Sequence, residues 1–161
     1  MSWNIAHSDD GMFLLNPDRT EIHLSPSVTV NVVQLLADME NAEIPISYTR
    51  DLQTIRFTKI PNGNLGNYGS GIVQISVFKN SSVPLCQVLV HELAHHVDDL
   101  EDVVSSPELI AEKKKKAKFM DALARKNVDE YFAIGFEIYY FGTPEMRSKL
   151  RAKNPILFKK I

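Results

Sequence analysis

A single cysteine, Cys86, stands in the 161-residue sequence, which excludes an internal disulfide and with it the cross-linked scaffolds of small secreted domains. Charge of one sign is also lacking. The 18 Lys and Arg stand against 20 Asp and Glu, a formal net charge of -2, so no overall field recruits nucleic acid or an anionic membrane surface. No apolar run approaches the roughly 20 residues that cross a bilayer, and a membrane span is not expected. The opening residues Met1, Ser2, Trp3 and Asn4 have neither the basic start nor the apolar run of a secretory signal. These absences lead to the expectation of a cytoplasmic protein without nucleic-acid or membrane partners, export by another route being left open. What is present is 44% apolar residues, enough for a real core, and a length that fits one domain over residues 1–161.

The composition changes character once, near residue 80. It passes from β-like and turn-rich to helical, which predicts an α+β fold with a sheet-rich half, 1–80, and a helical half, 81–161. Ser25, Pro26 and Ser27 are expected to cap a helix over 28–39, where Val32, Val33, Leu36 and Met39 recur at helical spacing. Residues 46–49, 54–60 and 72–78 alternate with the period of strands. Gly63, Gly66, Gly69 and Gly71 crowd the loop before the last of these. Without the strand-to-helix setting of a phosphate-binding turn, they read as turn residues or as the flexible rim of a cleft. Beyond residue 83 the pattern predicts helices over 83–100, 107–126, 129–141 and 144–153. Four lysines at 113–116 follow Glu108 and Glu112 at spacings that favour a salt-bridged, solvated face over a polybasic signal.

The segment that carries chemistry is His91-Glu92-Leu93-Ala94-His95, an HExxH motif inside an amphipathic helix. At about 100° per residue, His91 and His95 lie only ~40° apart around the axis and one turn apart along it, so two imidazoles can converge on one tetrahedral zinc ion. Glu92 is offset from that line, which suits it to take a proton from a zinc-bound water rather than to occupy the water's place. Leu85, Leu89, Leu93, Val97 and Leu100 form an apolar stripe; His91, His95 and Asp98 face roughly the other way. His96 falls near the stripe and reads as a buried, hydrogen-bonded histidine. Asp98 or Asp99 could orient a ligand imidazole, and ordinary helix solvation is the alternative for both. Cys86 reads as a small buried residue.

A catalytic zinc takes a third protein ligand and keeps one position open. The helix from Asp129 offers two carboxylates, Glu130 and Glu137, on nearly one line but about 10 Å apart along the axis, so only one of them can serve.

Leu89 through Asp99, followed by Glu130-Tyr131-Phe132-Ala133, resembles the catalytic domains of the anthrax lethal factor-like family and the related bacterial Pro-Pro endopeptidases. The ending Lys153-Asn154-Pro155-Ile156-Leu157-Phe158 also looks like that family's, so the similarity spans roughly residues 65–161. It implies a zincin-like fold: a small twisted N-terminal sheet with a helix, the HExxH helix, and a C-terminal helical part. It implies Glu130 as the third ligand, with Glu137 as runner-up. The sequence departs from many relatives at Ile134, where they carry a second glutamate, and at Leu123, where they carry the tyrosine that supports the oxyanion. Tyr68 and Tyr131 could replace that tyrosine but read more simply as a loop and a packing aromatic.

Residues and resemblance together lead to the expectation of a metalloendopeptidase with one zinc ion on His91, His95 and Glu130, Glu92 as general base, and a peptide or protein as substrate. Residues 72–77, just before the metal helix, are the expected edge that pairs with an extended substrate, an interior strand being the plain alternative. From a different class, the alternative function is a catalytically weakened zincin scaffold that binds proteins, which Leu123 and Ile134 favour.

Overall fold

The computed structural model describes residues 3, 5–7, 13–15, 20–26, 28–60, 63–77, 82–116 and 120–161. Two compact units divide the chain, Met1–His96 and Val97–Ile161.

In the first unit the described strands are β1 (Ile5–His7), β2 (Phe13–Leu15), β3 (Thr20–Leu24), β4 (Thr54–Thr58), β5 (Gly66–Gly69) and β6 (Ile72–Ser76). They form one mixed sheet in the order β1-β2-β3-β4-β6-β5. Parallel pairs need a crossover connection, and helix α1 (Val32–Asn41) supplies it between β3 and β4. The register sets Ile22 beside Ile55 and Ile55 beside Val73, three buried β-branched side chains in a row across the sheet. Two residues on, Phe57 and Ile75 form the next rung of the same buried face. Leu35, Leu36 and Met39 of α1 are buried as well.

Local chemistry moves several expected boundaries. Helix α1 starts at Val32, because the Asn31 side chain accepts from the Gln34 amide at 3.0 Å and so caps it; Ser27 lies outside the described residues. Residues Ile46–Thr49 form a 3-10 turn instead of a strand. Pro45 precedes the turn, and the Thr49 hydroxyl donates back to the Ile46 carbonyl at 2.7 Å. The glycine-rich loop is itself a strand, β5, joined to β6 by a two-residue turn. Ser70 and Gly71 there have φ of 52° and 75°, the positive values a tight hairpin of this kind requires. The strand expected over 72–78 ends at Ser76, and Phe78 lies outside the described residues.

Helix α2 (Leu85–Glu101) begins in the first unit and ends in the second. The second unit continues with α3 (Pro107–Lys116), a 3-10 turn at Leu123–Arg125, α4 (Val128–Phe141), α5 (Pro144–Lys153) and α6 (Pro155–Lys160). The helix expected over 107–126 thus ends at Lys116, with residues 117–119 outside the described set. Helix α6 was not anticipated. Its N-terminus is capped from α3: Glu112 accepts from the Ile156 amide at 2.8 Å and the Leu157 amide at 2.9 Å. Glu112 is buried, which corrects the solvated face expected for it. Leu157 in turn packs on the α4 backbone at Gly135, where a Cβ would stand 2.7 Å from Leu157 Cδ2. Among the described residues, no helix is long and apolar enough to cross a membrane.

Candidate metal centre

Helix α2 buries Leu89 and Leu93 while His91 and His95 stay half-buried. The side chains do what their spacing asks: His91 Nε2 and His95 Nε2 lie 3.3 Å apart. Two zinc–nitrogen bonds of about 2.05 Å at a tetrahedral angle set their nitrogens ~3.3 to 3.4 Å apart. The separation of the two ring nitrogens matches that of two ligands on one zinc ion. His91, His95 and Glu130 are residues that could each offer a ligand atom to a metal ion. Two imidazole nitrogens and a carboxylate oxygen are a donor set suited to zinc.

Glu130 lies in the first turn of α4, where the Asn127 side chain accepts from its amide at 2.8 Å. That cap fixes the start of the helix and so the direction in which residue 130 points. Glu137 lies two turns further on along the same helix.

Glu92 is buried, 6% exposed, and its side chain lies against the backbone of Gly66 on β5. His96 is buried and makes two hydrogen bonds: Nε2 donates to the Arg50 carbonyl at 2.7 Å, and Nδ1 lies 3.1 Å from the Tyr68 hydroxyl. A carbonyl only accepts, so Nε2 carries the proton and Nδ1 accepts from the phenol. His96 is thus the core histidine its position on the helix suggested, and Tyr68 is tied to it. Tyr131 is fully buried; its hydroxyl donates to Glu112 at 3.0 Å and accepts from Asn154 Nδ2 at 2.7 Å. Burial pushes its pKa up. Neither phenol stands as an uncommitted oxyanion donor, and Leu123 is partly exposed.

Asp98 Oδ1 accepts from the Val104 amide at 2.7 Å, closing the turn after α2. Burial raises the pKa of its carboxyl, with the Val104 amide pulling the other way. Cys86 is buried, and burial first, then Asp38, raises its thiol.

The expected substrate edge is corrected. Strand β6 lies between β4 and β5, so it is interior, and β5 is the edge. The Ser70-Gly71 dipeptide flanked by two short segments was the sequence signal for that hairpin.

An HExxH helix beside a mixed sheet, with both imidazoles converging, defines a zincin-type metallopeptidase fold. The family model described as "Anthrax toxin lethal factor, N- and C-terminal domain" matches residues 59–161. The chain belongs to this family of zinc metalloprotease domains, and it is an enzyme that hydrolyses peptide bonds. Among solved structures, the Pro-Pro endopeptidase PPEP-2 from Paenibacillus alvei is similar, with a TM-score of 0.61 and 21% identity over 86% of this chain and 94% of that one. At that identity the likeness shows the fold. A comparison with curated proteins found no match.

Proposed function

We propose that this protein is a zinc-dependent metalloendopeptidase in which His91, His95 and Glu130 hold one zinc ion and Glu92 is the general base. The observation that carries the reading is the pair of ring nitrogens 3.3 Å apart, one residue away from a buried carboxylate set against the edge strand. Zinc, when bound, supplies an acidified water and polarises the substrate carbonyl. Glu92 takes the proton from the attacking water at a carboxylate oxygen and passes it to the departing amine, yielding two peptides.

Strand β5 holds the substrate. The Leu65 carbonyl accepts from the Ser76 amide at 2.7 Å, so alternate residues 65, 67 and 69 turn their main-chain groups inward to β6. Gly66 and Tyr68 direct theirs to the outer edge, where an extended peptide adds as a further strand.

One observation favours a second reading, a weakened zincin scaffold that binds a protein. Leu123 stands where many relatives carry a tyrosine, while the Tyr131 and Tyr68 hydroxyls contact Glu112 and His96.

A peptide library that includes Pro-Pro bonds, after which the similar endopeptidase is named, separates the two. Zinc-loaded wild type should cut a subset, and Glu92→Gln should retain zinc while losing about 10²- to 10⁴-fold or more in rate. Zinc-loaded protein that cuts nothing in the library supports the scaffold, and cleavage undiminished in Glu92→Gln removes Glu92 from its role.

A further inference from the structure

Contacts along the metal helix match contacts along the edge strand. Glu92 and His96 lie one turn apart on one face of α2, about 6 Å along its axis. Gly66 and Tyr68 share a face of β5, about 6.8 Å apart. The pairs meet in register: the Tyr68 hydroxyl reaches His96 Nδ1 at 3.1 Å, and Gly66 meets Glu92. His96 is itself anchored on the Arg50 carbonyl at 2.7 Å, so the strand cannot slide along the helix without breaking the part-buried hydrogen bond between Tyr68 and His96.

At Gly66 any side chain would force the Glu92 side chain to shift. A Cβ there would stand 2.8 Å from both Cγ and Cδ of Glu92, and closer still to Oε1. Carbon–carbon contacts are favourable near 3.5–4.0 Å. The backbone does not explain the glycine, because its φ lies outside the left-handed range, unlike that of Gly63 or Gly71. Space explains it. Glu92 is 6% exposed, so its carboxylate has little freedom to swing into solvent.

We propose that Gly66 is a positioning residue: its missing side chain leaves the slot that holds the Glu92 carboxylate beside the edge strand, in line with the peptide to be cut. The inference rests on the peptidase reading above. Gly66 acts through Glu92. A methyl group at this place drives the carboxylate out of the slot, and a displacement of about 1 Å of a reacting group costs on the order of 10²-fold in rate.

The test compares Gly66→Ala with Gly69→Ala, Glu92→Asp and the double variant Gly66→Ala/Glu92→Asp. Gly69→Ala measures the loss of a glycine from β5 by itself, since its Cβ meets nothing within 4 Å. The shorter aspartate vacates part of the slot. In metal-free protein, Gly66→Ala should lower Tm by at least about 3 °C relative to Gly69→Ala, the scale of overpacking a core. The double variant should recover most of that loss relative to Glu92→Asp. With zinc restored, Gly66→Ala should lose about 10²-fold in kcat, with KM within about threefold and one zinc per chain retained. The double variant should be no slower than Glu92→Asp alone. If Gly66→Ala does not fold, folding of the double variant still supports the slot, and its failure overturns it. Additive Tm losses, or Gly66→Ala turning over as fast as Gly69→Ala, also overturn it. A wild type that cuts no peptide defeats the peptidase reading alone, because the metal-free stability comparison continues to report whether Glu92 occupies the slot.

Discussion

Replacing Glu112 by alanine should destabilise the protein more than any ordinary helix substitution would. The carboxylate accepts three hydrogen bonds: from the Tyr131 hydroxyl at 3.0 Å, the Leu157 amide at 2.9 Å and the Ile156 amide at 2.8 Å. Two of these donors are orphan N–H groups of the first turn of α6, which has no cap of its own. A buried donor left without an acceptor costs about 1–3 kcal/mol, and Leu157 and Tyr131 are fully buried. Three such losses set an upper bound that two effects lower: removing a buried acid returns its desolvation cost, and water can enter the space vacated. The net expectation for Glu112→Ala is a loss of about 3–4 kcal/mol, a fall in Tm of about 6–16 °C for a chain of this size. Glu112→Gln keeps one acceptor oxygen and sets an NH₂ group against a donor, so it should fall between wild type and alanine. Thermal and urea unfolding followed by far-UV circular dichroism in EDTA reads both. A Tm for Glu112→Ala within about 2 °C of wild type would refute the capping role, since a lost pair of helix-end acceptors cannot be that small.

Other predictions concern the second unit. Asn127→Ala removes the cap on the Glu130 amide and should cost about 1 kcal/mol of stability; it should also weaken zinc binding, measured by competition with a chromophoric chelator, while Asn127→Asp retains both. Burial raises the folded-state pKa of Asp98 above its unfolded value. The folded state therefore favours the protonated acid, and this carboxyl's contribution to stability is fully present below about pH 4 and lost as pH rises through the folded pKa. Asp98→Asn keeps an acceptor for the Val104 amide without the charge. In metal-free protein its stability relative to wild type should rise with pH above about 4 and level off once Asp98 is ionised; a difference that is flat over that range would contradict the assignment.

The metal helix was legible because its signal is a spacing. His91, Glu92 and His95 occupy positions whose geometry follows from helical pitch alone, and their surroundings of Leu89 and Leu93 reported the buried side. Elements that depend on distant partners were not legible. Strand β5 has only four residues, two of them glycine, and it is a strand because β6 pairs with it. The segment Ile46–Thr49 alternates like a strand, yet Ile46 and Thr49 are the buried pair, the three-residue spacing of a 3-10 turn. Ser25 and Asn31 both suit a cap, and only the observed bond to Gln34 chooses between them. Glu112 sits among lysines as a surface acid would. Its partners at 131, 156 and 157 are too far along the chain for periodicity to reveal. Gly66 was readable as a glycine in a turn-rich stretch; what it makes room for was not.

The most direct test of the account is zinc content by elemental analysis of wild type and of His91→Ala, Glu130→Ala and Glu137→Ala, each dialysed against a weak chelator. One zinc per wild-type chain, retained in Glu137→Ala and lost or much weakened in His91→Ala and Glu130→Ala, is the predicted result. Zinc-free wild type, or zinc held as firmly without His91 and Glu130 as with them, would contradict it.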